Sequence, residues 1–251
     1  MNKRISAVII CKNEEARIKS CLQSVKWADE IVVLDSGSND RTLEIASEFT
    51  DKIYINIDWK GFGPQKRLAE SYATSDWVLS IDSDEVVSEI LRNEIIAAVN
   101  SADENSVFRL NRLTYFCGKF IRHSGWYPDR IVRLYNKKHY HYNDAFVHEA
   151  VYCDGARVVN LKGDLLHYQI LSLEDYIDKR NKYARAWADN HYAKGKSTNI
   201  AEIVLRSLFA FFRHYIIRLG VLDGYHGFLI SVIQMQYTFN KYNFLRFRNS
   251  K

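Results

Sequence analysis

Asp76-Trp77-Val78-Leu79-Ser80-Ile81-Asp82-Ser83-Asp84-Glu85 decides the fold of this 251-residue chain. Residues 77–81 are apolar but for Ser80, the pattern of a short strand covered on both faces of a parallel sheet. Ligands of such sheets gather outside the carboxyl ends of the strands, where this run gives way to Asp82 and Asp84. Alternate residues of a strand project to one face, so the two carboxylates are expected to leave the strand end together. Two hard oxygen ligands suit a divalent cation that keeps its other positions for water and substrate phosphates, the usual habit of Mg²⁺. An Asp-x-Asp alone is common turn chemistry; the apolar strand before it favours the reading as a site.

Working outward, Ile5–Cys11 reads as a first strand, too short and without the cleavage pattern of a signal peptide. Asn13-Glu14-Glu15 is expected to open a helix to about Val25, with Ile18, Leu22 and Val25 on one face. Residues 31–34 form a second strand, closed by Asp35-Ser36-Gly37-Ser38-Asn39-Asp40, a run of turn formers. A helix over 42–49, a strand over 52–57 and a helix over 65–74 lead back to Trp77. This alternation predicts an α/β architecture, a mostly parallel sheet flanked by helices. From 107 to 167 the pattern changes to short strands and aromatic loops, and 173–192 is helical. The expected organisation is a nucleotide-type half over 1–106, a second-substrate half of the same domain over 107–196, and a helical extension over 197–251.

Composition is that of a folded domain, 47% hydrophobic and 26% charged, with 11 Gly and 2 Pro leaving little room for a linker. The four cysteines, Cys11, Cys21, Cys117 and Cys153, form no CxxC pair and are expected to be reduced thiols. All of the net charge of +5 falls in 197–251, where Arg206, Arg213, Arg218, Lys241, Arg246, Arg248 and Lys251 face only Glu202 and Asp223. Two apolar, aromatic-rich stretches, 200–219 and 224–239, carry it. Arg206, Arg213, His214 and Arg218 interrupt the first, and the second falls short of the roughly 20 residues a span requires. Such helices suit an anionic membrane interface; a pair packed on the body or forming a homo-oligomer is the alternative. No nucleic-acid module is readable.

Three phosphate sites can be excluded. Gly61-Phe62-Gly63-Pro64-Gln65-Lys66 lacks the third glycine of a dinucleotide fingerprint and does not follow the first strand; no GxxxxGK[ST] occurs; an EF-hand starting at Asp82 would put Val86 and Val87 at its fifth and sixth positions. What remains is a sheet with Asp35 after one strand and Asp82 and Asp84 after another, suited to a nucleotide diphosphate neutralised by a metal.

Three segments together, Val8-Ile9-Ile10-Cys11-Lys12-Asn13-Glu14-Glu15, Val32-Val33-Leu34-Asp35-Ser36-Gly37-Ser38-Asn39-Asp40-Arg41-Thr42 and Asp76 to Glu85, resemble family 2 inverting glycosyltransferases of the GT-A fold. Gly125-Trp126-Tyr127-Pro128-Asp129, Arg133-Leu134-Tyr135, Val147-His148-Glu149 and Leu219-Gly220-Val221-Leu222-Asp223-Gly224 resemble a narrower branch, the bacterial β-1,4-glucosyltransferases of the lipopolysaccharide inner core. The resemblance implies a UDP-sugar donor, UDP-glucose in that branch, and Mg²⁺ or Mn²⁺ at Asp82 and Asp84, with Asp84 the direct ligand; His167 is read as a third ligand or as a structural histidine. It also implies a nucleoside pocket lined by Asp35 and the Cys11–Glu14 segment, so that Cys11, Asn13, Glu14, Asp35 and Ser36, with Lys66, Asp82 and Ser83 beside them, are the residues expected to hold the donor. Many family members carry a second acid after the second strand to read uracil; Ser36 stands there in this chain.

Inversion in one step requires a carboxylate that deprotonates the acceptor hydroxyl. Glu149 is the first choice, after a strand-like run, with Asp144 and Asp129 behind it; a surface salt-bridge partner is the alternative for Glu149. Lys66 and Arg67 are read as donor-diphosphate contacts or exposed helix charges. Trp126 and Tyr127 are read as a sugar platform or plain core, and Arg122, Arg130 and Arg133 as contacts to an acidic, phosphorylated acceptor or as surface charge. The expectation is an enzyme on the cytoplasmic face of the membrane, acting on a lipid-linked glycan. A polyprenyl-linked or capsular acceptor, or a sugar-nucleotide-binding scaffold without turnover, is the alternative.

Overall fold

Apolar runs become the parallel centre of a sheet. Strands β1 (Ile5–Cys11), β2 (Glu30–Asp35), β3 (Ile53–Ile55) and β4 (Trp77–Asp82) lie in the order β3-β2-β1-β4, β1 pairing parallel with both β2 and β4. Every residue of β1 and β2 is buried, as covered parallel strands require. In this computed structural model, which describes residues 3–248, the chain divides into two compact units. One comprises Met1–Arg112 with Asp129–Tyr168, the other Leu113–Pro128 with Gln169–Lys251. Lys251 of the basic tail lies outside the described residues.

In the first unit, helices α1 (Ile18–Ser24), α2 (Thr42–Ser47), α3 (Phe62–Ser71) and α4 (Glu89–Ser101) follow strands in turn. Ile9, Leu79 and Ile81 pack with Ile18, Leu22, Leu91 and Ile95 on one face; Val8, Val32, Leu34 and Val78 pack with Ala69, Tyr135 and Tyr142 on the other. The mixed α/β sheet flanked by helices is thus the expected architecture. The first helix is shorter than expected. Residues 13–17 form a turn region instead, with Asn13 at φ 55, and the backbone N–H groups of Asn13, Glu14 and Glu15 donate to side chains after β2.

The stretch from 107 to 167 corrects the sequence reading. After β5 (Glu85–Val87) come β6 (Ser106–Phe116), β7 (Lys119–Phe120), β8 (Asp129–Asn136), the ribbon strands β9 (His141–Tyr142) and β10 (Val151–Tyr152), and β11 (Arg157–Ile170). β6 and β11, of 11 and 14 residues, are long strands rather than short ones. β8 runs antiparallel to β4 and β6, and β5 antiparallel to β11 with Glu85 opposite His167. Gly163, which punctuates the β11 sequence, is there for packing: a Cβ would lie 2.5 Å from the Leu91 backbone of α4.

The second unit holds α5 (Leu173–Ala193), α6 (Ile200–Phe212), a π turn over Arg213–Ile217, a 3₁₀ turn over Gly220–Asp223 and α7 (Tyr225–Arg248). Its core joins Phe116, Ile121, Ile170, Ile230 and Ile233, with Trp126 and Tyr176 against them. Trp126 is therefore packed as core. The buried Asp223 carboxylate accepts from the N–H groups of Arg122 (3.2 Å) and His123 (2.9 Å). α7 is longer than the expected apolar stretch, at 24 residues. Even so, among the described residues no helix is long and apolar enough to cross a membrane.

Candidate active site

The loops at the carboxyl ends of β1 and β2 are laced together. Asp35, fully buried, accepts from the N–H groups of Gly37 and Ser38 (2.8 Å each) and from the Ser38 hydroxyl. The Asn13 N–H donates to Ser38 Oγ (2.8 Å) and the Asn39 N–H to Asn13 Oδ1 (2.8 Å). Glu14 chelates Arg17 through both oxygens (2.8 and 3.0 Å), while burial pushes its carboxyl up against that pull. Burial and then Asp35 raise the Cys11 thiol, which leaves it a poor nucleophile. Ser36 accepts from Gln65 Nε2 (2.9 Å), fastening the β2 loop to α3.

The end of β4 departs from the simple strand picture. The chain turns at Ser83-Asp84, so the two-residue period does not carry through and the acidic pair has separate partners. Asp82 pairs with Lys66 (2.7 Å) and Arg133. Burial opposes its ionisation, but Arg133 and Lys66 outweigh it and hold the carboxyl well below the usual carboxylate range. Asp84 lies 3.3 Å from His167 Nε2 and 4.0 Å from Arg17; burial is again outweighed, here by His167, and its carboxyl is lowered. The β5–β11 register brings His167 there. Among the described residues, no three His, Cys, Asp or Glu side chains converge as a closed metal cage. Two adjacent donors, an anionic oxygen and an imidazole nitrogen, fit a divalent cation that completes its shell with water and substrate oxygens.

Lys66 is the centre of the arrangement. It is only 1% exposed, yet it is ionised between Asp82 and Glu149, whose Oε1 lies 2.8 Å from its Nζ. Burial and Arg133 push its pKa down; Tyr142, Asp82 and Glu149 carry it above the ordinary lysine value. Glu149 reaches Lys66 because its loop is seated on the start of α3. Gly61 (φ 114) and Gly63 admit it: a Cβ on Gly63 would lie 2.1 Å from the Asn143 carbonyl oxygen, and on Gly61 2.5 Å from Phe146 Cα. The N–H groups of Phe62 and Gly63 donate to the carbonyls of Phe146 (3.1 Å) and Ala145 (3.0 Å). The glycine pair that imitates a dinucleotide fingerprint is a seat for this loop.

Of the other carboxylates, Asp129 pairs with Arg112 (2.7 Å) and Asp144 with the exposed Arg67 (2.6 Å). Neither joins Lys66. Arg133 is no surface charge: it is buried, with Glu85 at 3.0 Å and the Tyr142 hydroxyl at 3.0 Å. Glu85 and Tyr142 were missed in the sequence, since only the pairing of β4 with β8 and the β9–β10 ribbon bring them in. A cavity of about 510 Å³ opens beside these groups, with Asp82, Arg133, Tyr142, His148 and Glu149 among its walls.

The geometry is that of a parallel sheet end carrying buried carboxylates beside a polar cavity, and comparison with known proteins gives the family. The glycosyl transferase family 2 model matches residues 6–163. The chain belongs to that family. This family 2 glycosyltransferase is 32% identical over 242 residues to an uncharacterised glycosyltransferase of Rickettsia typhi, a match covering 92% of this chain and 82% of the relative. It is 30% identical over 242 residues to the lipopolysaccharide core biosynthesis glycosyltransferase LpsC of Rhizobium meliloti, covering 94% and 89%. Among solved structures, TarS of S. aureus aligns with a TM-score of 0.44 and 18% identity over 72% of this chain and 39% of TarS.

Proposed function

We propose that this glycosyltransferase moves glucose from UDP-glucose, with inversion, onto a heptose of the lipopolysaccharide inner core, as a peripheral enzyme on the cytoplasmic face of the membrane. One observation carries the reading: a single buried ammonium, Lys66, joins the donor-side Asp82 to Glu149 at the wall of a polar cavity. The similarity to LpsC, a core biosynthesis enzyme by name, supports the acceptor class.

In this reading Asp35 and the 11–14 loop line the nucleoside pocket, with Ser36 offering a hydroxyl where many family members carry a second acid. Lys66 and Arg133 complement the charge of the donor diphosphate. Glu149 takes the proton of the acceptor hydroxyl as that oxygen bonds to the anomeric carbon; the bond to UDP breaks on the opposite face and inverts the centre. Asp84 and His167 would hold Mg²⁺ or Mn²⁺, which when bound offsets the charge gathering on the leaving diphosphate. The exposed apolar side of α6, flanked by Arg213 and Arg218, is the surface that docks on an anionic membrane.

The test is UDP release from a panel of UDP-sugars, with and without Mg²⁺ or Mn²⁺, by wild type, Asp84→Asn and Glu149→Gln. Metal-dependent release from one donor is expected. Glu149→Gln should lower the acceptor-dependent rate by about 10²- to 10⁴-fold, the worth of a general base. Both variants turning over at the wild-type rate would defeat the assignment.

A further inference from the structure

The cavity beside Glu149 holds more positive charge than its own carboxylates engage. Five cations belong to the region: Lys66, Arg109, Arg112, Arg130 and Arg133. Lys66 is shared by Asp82 and Glu149, Arg133 by Asp82 and Glu85, and Arg112 by Asp129 (2.7 Å) and Glu85 (3.7 Å). Arg109 and Arg130 are left. Among the described residues neither has a carboxylate within ion-pair distance; Arg130 Nε donates only to Asn111 Oδ1 (3.3 Å). They lie on adjacent strands, Arg130 opposite Asn111 and Arg109 opposite Val132, and both line the cavity. The buried Arg133, also in its wall, has an Nε–H with no acceptor among the described residues. Guanidinium groups left open at a cavity wall match the paired oxygens of a phosphoryl group.

We propose that Arg109 and Arg130 form an oxyanion subsite for a phosphoryl group carried by the acceptor. The inference rests on the transferase reading above and names the acceptor's chemical class: a phosphorylated sugar rather than a neutral one. The phosphoryl belongs to the acceptor for a reason of place. The cations beside Asp82 are Lys66 and Arg133, and they are the ones positioned for the donor. Arg109 and Arg130 share their cavity with His148 and Glu149, so an acceptor whose hydroxyl meets Glu149 has the rest of its ring among them.

Calorimetric titration of wild type and Arg109→Gln/Arg130→Gln with UDP, glucose 6-phosphate and glucose tests this without turnover. Wild type should bind the sugar phosphate at least about tenfold more tightly than the neutral sugar, a preference that weakens with added salt. The double variant should lose that preference and keep UDP affinity within about twofold. Arg109→Lys/Arg130→Lys, which keeps the charge but not the fork, should recover part of it. A parallel loss of UDP affinity would assign the arginines to the donor and overturn the subsite. Equal wild-type affinity for sugar and sugar phosphate would overturn it too. Sugar-phosphate binding that is lost in the variant, by a wild type that binds no UDP, would uphold the anion subsite and defeat the transferase reading alone.

Discussion

Glu70 shows how one buried side chain sets a pH dependence for the whole fold. It lies on α3, nearly inaccessible, and accepts the Tyr135 hydroxyl proton. Burial pushes its carboxyl from the ordinary 4.5 up to about 7, against the pull of Tyr135, Arg67, the Tyr142 backbone and Lys137. Between those two values the native state keeps a proton that the unfolded chain has released, so stability falls as pH rises. The contribution is complete below the unfolded value and is lost as pH climbs through 7, with a ceiling of about 3 kcal/mol. Glu70→Gln keeps the shape and removes the titration. Urea midpoints measured from pH 5 to 8 should decline for wild type relative to the variant. Parallel profiles would show that Glu70 does not titrate in this range.

At the scale of elements, the seat of the 143–149 loop on α3 is the joint that makes the site. Gly63→Ala places a methyl carbon 2.1 Å from the Asn143 carbonyl oxygen, where backbone must move. The expected cost is about 1–3 kcal/mol in thermal stability, and a fall in acceptor-dependent UDP release of about tenfold or more, as Glu149 is displaced from Lys66. Wild-type stability and rate in this variant would show that the loop is not held there. The parallel half was legible because fully covered strands must read as apolar runs, and strand-end loops as Asp, Ser, Asn and Gly. The antiparallel half was not. β6 and β11 mix arginines, asparagine and aromatics along long strands, which reads as irregular chain until their partners are known. Glu149 could be named from its position, but its bond to Lys66 spans 83 residues of sequence, and the glycines that permit it looked like a failed nucleotide motif. Nor could the Arg133–Asp82 pair be read, since a lone arginine in an apolar run is silent about its carboxylate.

Across the whole molecule, charge follows the division into units more sharply than it follows the tail. The helical unit carries fifteen Lys and Arg against six Asp and Glu, while the sheet unit carries twenty against twenty-four. Among the described residues, the basic unit also bears a long run of exposed apolar side chains: Val204, Leu205, Leu208, Phe209 and Phe212 on α6, then Ile216, Ile217, Leu219, Val221 and Leu222 through the turns that follow. Leu205 is 67% exposed and Phe209 57%, on a helix whose other side buries Ile203 and Ser207. A core-packing helix has no use for such a face, and an apolar face with arginines at its edge matches an anionic bilayer surface. Each apolar side chain that enters the interface contributes up to about 1.5–3 kcal/mol, and each arginine near the headgroups about 1 kcal/mol. The protein should therefore float with vesicles containing anionic lipid, and less with neutral ones, the difference shrinking at high salt. Leu205→Glu/Phe209→Glu should abolish flotation while UDP binding persists, because the substituted positions lie outside the sheet unit. Loss of a dimer in sedimentation, with vesicle binding unchanged, would instead assign the face to a second copy of the chain.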